Sequence, residues 1–286
     1  MRYFCILCCL CLPILALFVS FESRAASFCF KTPSLEPKSS LISGSDPTVL
    51  MSAGPRGQAH RLLHLRMLVD GVDRARAQQF VNASLSAQEV RILGQGNTLD
   101  RYQRSLIHLV DQNVWLQKAW VGEGIFRVLP GMASSSELAC LGELYRAEMD
   151  AVQGRRGLWS DSKNTVLGAH DVTELENHIA EFVLVEGGVR AVGKGGGRHF
   201  INFGEDWRSD FTIVVPQSVL SDWPQDLQHP QFLQDRALSS LVGQRVRVRG
   251  WMTSYRGPEI LVDDLSQIEI LGPVPSPLKG MAEDLP

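Results

Sequence analysis

The sequence predicts an α+β protein in which two small β-barrels, each accompanied by helices, follow one another along the chain. Between Thr48 and Trp159, short apolar runs alternate with stretches of helical period. From Ile179 onward the period falls to two, and Gly and Pro turns separate the runs. The stretch between them, residues 160–178, is polar and aperiodic and reads as a linker. At 286 residues, 44% hydrophobic and 21% charged, the chain can bury two cores. A net charge of -3 excludes a global basic field, so any site for nucleic acid must be local.

The first element is a targeting signal, residues 1–26. "MRYFCILCCLCLPILALFVSF" has a basic start and an apolar core, and small residues follow in "ESRAAS", where cleavage after Ala25 or Ala26 is expected. The chain is then periplasmic or secreted, with no stable membrane association once the signal is gone. The alternative is a retained anchor, since the apolar run is nearly long enough to span. Four of the six cysteines, Cys5, Cys8, Cys9 and Cys11, lie in this segment. Cys29 and Cys140 are left, and in an oxidising compartment they are expected to pair; two free thiols are the alternative. No Cys/His spacing in the mature part suggests a zinc site.

Residues 27–47, rich in Pro and Ser, read as a loose lead-in to a first domain spanning 48–159. "HRLLHLRMLV" and "EVRIL" read as strands flanking a helix, "DRARAQQFVNASLS". "SLIHLV", the turn "DQN" and "VWLQKAWVGEG" give strand, turn and helix, with Gly124 as the helix stop. Serines ahead of Glu137 open a last helix whose Leu138, Leu141, Leu144, Tyr145 and Met149 form a core-packing stripe. His60, His64 and His108 have no metal spacing and read as structural or exposed.

The second domain, 179–272, holds "EFVLVEGGVRAVGKGGGRHFINFG", "DFTIVVP", "QRVRVRGWM" and "PEILVDDLSQIEIL", with an irregular or helical piece near 218–241. About five strands with one helical interruption suit a closed barrel of the oligonucleotide/oligosaccharide-binding type better than a sandwich. Residues 273–286 form a tail. In "QRVRVRGW" a strand sends Arg245, Arg247 and Arg249 to one face and the valines to the other. With Lys194, Arg198, Trp251, Tyr255 and Arg256 nearby in sequence, that face is a candidate for single-stranded nucleic acid; a solvated strand face is the alternative. Trp207 and Phe211 are expected to pack, and "GKGGGR" reads as a hairpin tip because no helix follows it.

"DRYQR", "LQKAWVGEGIFRV" and "LYRAEMDAVQGRRGLW" resemble the C-terminal half of the staphylococcal nuclease (thermonuclease) family, a match that runs without a gap from Asp100 to Val128. "NFGEDWRSDFTIVVP" is similar to the second barrel that follows such domains in some secreted bacterial proteins. The resemblance implies hydrolysis of DNA or RNA with calcium. Charge building on the phosphoryl oxygens needs cationic donors already aimed at them, and a guanidinium fork suits that geometry. Arg104 occupies the position of the family's phosphate-facing arginine, with Tyr102 beside it as a nucleic-acid contact. Asp46 and Asp70 fall on the calcium-binding aspartates, and Asp73 stands where a glutamate should handle water. Arg66 lies one residue out of register with the first catalytic arginine, and Gln103 stands where glycine is usual. The rival expectation is a non-catalytic relative that binds nucleic acid or protein in the cell envelope.

Overall fold

The computed structural model describes residues 41–43, 45–52, 58–66, 71–87, 90–112, 114–130, 135–223, 229–234 and 236–275. The chain is a mixed α+β protein whose strands form curled sheets with few helices. The first half runs β1 (Leu41–Ser43), β2 (Val49–Ser52), β3 (Ala59–Leu62), β4 (Leu65–Arg66), α1 (Gly71–Ala87), β5 (Val90–Leu99) and β6 (Ser105–Asp111). It continues through β7 (Val114–Trp115), α2 (Leu116–Gly122), β8 (Arg127–Val128) and α3 (Ser135–Gln153). The main sheet has the order β1-β2-β3-β6-β5. Neighbours are antiparallel except β3 and β6, which pair in parallel with His60 opposite Ser105 and Arg61 opposite Leu106.

Local sequence explains these breaks. The run "HRLLHLRMLV" is not one strand, because His64 adopts φ 59 and turns the chain between β3 and β4. β6 is buried along its length, as an unbroken apolar run should be when both faces are covered. α2 packs on it through Gln117, which is fully buried. Its Oε1 accepts from Leu109 N at 2.9 Å and its Nε2 donates to Ile107 O at 3.0 Å, so a polar side chain in the core is satisfied. α2 stops at Gly124, as expected: φ is 67, and a Cβ there would strike the Arg156 carbonyl. On α3, Leu138, Leu141, Leu144 and Tyr145 are all fully buried.

The second half runs β9 (Val166–Gly168), α4 (Val172–Glu176), β10 (Phe182–Gly188), β11 (Ala191–Gly195), β12 (Arg198–Asn202) and β13 (Thr212–Pro216). It ends with α5 (Gln217–Asp222), β14 (Gln244–Tyr255), β15 (Gly257–Leu261) and β16 (Ile268–Pro273). The sheet order is β11-β12-β13-β15-β14-β10-β9, with β16 also on β14. β10 and β11, which lie towards opposite ends of this order, are consecutive in the chain. Val189 N bonds to Gln244 O on β14 and Arg190 N to Asn202 O on β12, so the sheet curls back on itself. The expected linker is largely structured: β9 adds to β10 in parallel, and Asp171 caps α4 by accepting from Glu174 N. Its polarity reflects an edge strand and a short capped helix.

The two halves share a core. Ala151 and Trp159 of the first pack with Phe182 and Leu184 of the second, and Tyr145 Oη donates to Ser266 O at 2.6 Å. Among the described residues no helix is long and apolar enough to cross a membrane. The expected signal, Cys29 and the tail beyond residue 275 lie outside the described residues. Cys140 is fully buried on α3 and disulfide-bonded.

Candidate anion-binding site

The turn from β5 to β6 is built by Asp100. Its Oδ1 accepts from Tyr102 N at 2.8 Å and Arg104 N at 3.0 Å, closing an Asx-type turn. Its Oδ2 accepts from Arg104 Nε at 2.6 Å and pairs with Arg104 Nη2 at 2.6 Å. Burial alone would raise the Asp100 pKa, but the hydrogen bonds from Arg104 and Tyr102 outweigh it and hold the carboxyl below its ordinary value. Gln103, where the resemblance called for glycine, has φ 59 and so needs the left-handed conformation glycine favours.

Because β3 runs parallel to β6, Arg61 reaches the start of β6 beside this turn. Its Nη1 pairs with Asp46 Oδ2 at 3.3 Å and its Nη2 donates to Leu65 O at 3.3 Å. Asp46 Oδ1 accepts from Thr48 N at 2.9 Å and Thr48 Oγ1 at 2.6 Å. Burial lowers the Arg61 pKa; Asp46 and Asp100 push it up and Arg104 pushes it down, so Arg61 lies in the field of all three. Tyr102, 61% exposed, has Arg101 and Arg104 over its ring at 4.7 and 4.8 Å. The arrangement is two guanidiniums, each already held by one aspartate, beside an exposed aromatic ring.

Of the residues named from the sequence, Arg104 and Tyr102 lie together in this turn, and Asp46 lies against Arg61. The other guanidinium described here is that of Arg61. Arg66 lies in β4 with its backbone opposite Arg127; the side chains of Arg66 and Asp73, and the whole of Asp70, lie outside the described residues. The sequence signal for Arg61 was available, since His60 and Leu62 point inward and Arg61 alternates with them.

Calcium takes six to eight oxygen ligands, several from carboxylates. Asp46 and Asp100 are the carboxylates found here, and each already serves a guanidinium and further donors. The described residues do not fit a calcium cage. A different donor set lies in the first-half core. His64 Nε2 is 2.8 Å from Glu137 Oε2 and His108 Nε2 is 3.5 Å from the same oxygen, with all three residues buried. Their ligand atoms fall within 4.8 Å of one another, a nitrogen–oxygen set suited to zinc-class ions rather than calcium. Burial would raise the Glu137 pKa, yet hydrogen bonds from both histidines drive it far below the carboxylate range. No spacing rule could have found these three, which come from a turn, a strand and a helix.

The arginine row of β14 requires a correction. Arg249 is fully buried, ion-paired with Glu148 of α3 and stacked 3.5 Å over Tyr145. Arg247 is buried between Glu186 at 2.7 Å and Glu269 at 3.0 Å, and Arg245, half-exposed, pairs with Glu186 at 3.2 Å. The valine face is buried in the core, while on the arginine face α3 covers Arg249 and the cross-strand neighbours Glu186 of β10 and Glu269 of β16 hold Arg247, so Arg247 and Arg249 cannot meet a phosphate. The exposed aromatics lie elsewhere: Trp207 is 54% and Tyr255 71% exposed, and with Phe200, Lys194 and Arg256 they line a cavity of about 460 Å³. Trp207 does not pack as expected, whereas Phe211 is fully buried. No family model matches the chain, and no curated protein matches it.

Proposed function

We propose that the chain is an exported nucleic-acid-binding protein, its first half a thermonuclease-like barrel and its second an oligonucleotide/oligosaccharide-binding-type barrel. The observation that carries the reading is the meeting of Arg61 and Arg104 at the parallel β3–β6 junction, with Tyr102 stacked beside them. A phosphodiester entering there replaces aspartate oxygens as the acceptor for the guanidinium edges, and an unpaired base stacks on Tyr102. In the first half β3 pairs in parallel with β6 and in the second β13 with β15, which supports a barrel of this type in each. The disulfide at Cys140 supports an oxidising compartment and thus the export reading.

Hydrolysis with calcium is the rival, and it requires Asp46 to leave both Arg61 and Thr48. Fluorescence anisotropy of a labelled single-stranded oligonucleotide at 50 mM salt tests the binding reading. The unaltered protein should bind saturably. Arg61→Ala with Arg104→Ala should weaken binding by about tenfold or more and flatten the salt dependence by about one to two in slope. Absence of saturable binding by the unaltered protein overturns the proposal. Cleavage of the same probe with calcium but not with chelator would transfer the site to the hydrolytic reading.

A further inference from the structure

Arg127, Arg247 and Arg249 are the deeply buried arginines among the described residues. Arg247 and Arg249 have carboxylate partners on neighbouring elements. Arg127 has none within ion-pair distance among the described residues. Its Nη1 donates to Phe182 O at 2.6 Å and its Nη2 to Asn164 Oδ1 at 2.8 Å, both neutral acceptors, and its Nε is buried without a partner. The guanidinium lies 4.7 Å over the Trp159 ring. Burial lowers its pKa to about 10, which leaves it protonated at neutral pH. Glu148, engaged by Arg249, and Glu181, engaged by His178, act on it only through space, and a buried charge without a hydrogen-bonded ionic partner is costly.

Arg127 lines a cavity of about 820 Å³ between the two halves, a volume in the range of small-molecule sites. Lys163 and Arg76 stand exposed at its rim, and Trp251, 45% exposed, offers a flat wall. Two carboxylates also border it. Glu181 is engaged by His178 at 2.8 Å, and Asp161 accepts from Lys163 N at 3.0 Å.

We propose that this inter-barrel cavity binds a small organic oxyanion, a carboxylate or phosphomonoester, whose charged head meets Arg127 and whose flat body lies against Trp251. The site is independent of the Arg61–Arg104 cleft. Because the cavity is lined from both halves, its ligand also holds them together.

The test uses the full mature protein with benzoate, AMP and inorganic phosphate as probes and benzamide as the uncharged control. Tryptophan fluorescence, which reports Trp159 and Trp251, and the melting temperature are the readouts. At least one organic anion should saturate at millimolar concentration and raise the melting temperature, and benzamide should not. Saturation by phosphate alone assigns an oxyanion site without the flat-body subsite and overturns that part. Arg127→Gln should abolish the response. Lys163→Glu, an exposed change that leaves the core intact, should weaken it by roughly fivefold. Arg190→Ala, an exposed arginine outside the cavity's lining, should leave it unchanged, which shows that the response needs this cavity's own cations. The proposal fails if no anion saturates, if benzamide matches benzoate, or if Lys163→Glu and a folded Arg127→Gln bind as the unaltered protein does.

Discussion

The two halves lay their strands down in one order. β1-β2-β3-β6-β5 of the first corresponds to β11-β12-β13-β15-β14 of the second, and β3–β6 and β13–β15 are both parallel pairs. α1 lies between β3 and β5 in the first, and α5 between β13 and β14 in the second. The charges on these frames have opposite fates. In the first half, Arg61 and Arg104 keep about a fifth of their side-chain surface open, and each holds one aspartate. In the second half, α3 lands on β14 and makes Arg249 a joint between the halves, while Arg247 is held by Glu186 and Glu269 of its own sheet. Whether a row of guanidiniums becomes a site or a joint is decided by what packs on it, not by the strand that carries it.

The sharpest way to break this contrast is to cut one partner from each half. Glu148→Ala leaves the buried Arg249 with only the more distant Glu269, at 3.7 Å, and it also removes the acceptor for Val128 N. Denaturant unfolding should register a loss of about 3–5 kcal/mol. Replacing both partners together, Glu148→Leu with Arg249→Met, should recover much of it, because the desolvation penalty disappears with the charges. Arg104→Ala in the first half should cost only about 0.2–1 kcal/mol, since its pair is partly solvated. Equal losses in the two halves would dissolve the distinction between joint and site.

Acid separates the halves in a second way, through His108 and Glu137. His108 is buried, and that burial lowers its pKa, although Glu137 opposes the shift. Below the ordinary histidine value near 6.5, the unfolded chain takes up a proton that the folded one refuses, so stability falls as pH drops from about 7 toward 5. Glu137 adds to this at lower pH. Its folded pKa is depressed, so its contribution is full above the ordinary carboxylate range and is lost progressively below about pH 4.5. Both shifts act in the same direction. Urea midpoints from pH 7 to pH 4 should fall steadily, and His108→Gln should flatten the upper part of that slope.

The frame could be read from the chain wherever local pattern was enough. The stripe on α3, the Gly124 stop and the period-two strands after Ile179 are all features one residue's neighbours dictate. The site was half legible. Tyr102 and Arg104 could be named because the turn motif is contiguous, and Asp46 was expected at calcium rather than at a guanidinium, whereas Arg61 was not named, in a run where a turn at His64 resets the register. β14 misled for a related reason. Its alternation of Arg and Val defines two faces correctly, but alternation says nothing about whether the polar face meets water or another element. Glu148 lies 101 residues from Arg249, beyond the reach of any periodicity.

The smallest effect isolates the turns themselves. Each barrel joins its fourth and fifth strands through a residue in the left-handed region, Gln103 with φ 59 and Arg256 with φ 72. An L-residue there costs about 1–2 kcal/mol relative to glycine, offset by about 0.5–1 kcal/mol of backbone entropy that glycine loses on folding. Gln103→Gly and Arg256→Gly should therefore each stabilise by about 0.5–1 kcal/mol, seen as higher unfolding midpoints. Gln103 makes no side-chain hydrogen bond within its turn; Asp100 alone organises it, so the substitution should leave oligonucleotide affinity intact. Arg256 lies over the exposed Tyr255 ring at 5.6 Å and lines the aromatic cavity. If that cavity also holds nucleic acid, Arg256→Gly should lower affinity while raising stability, and the two turns, equal in strain, would part in function.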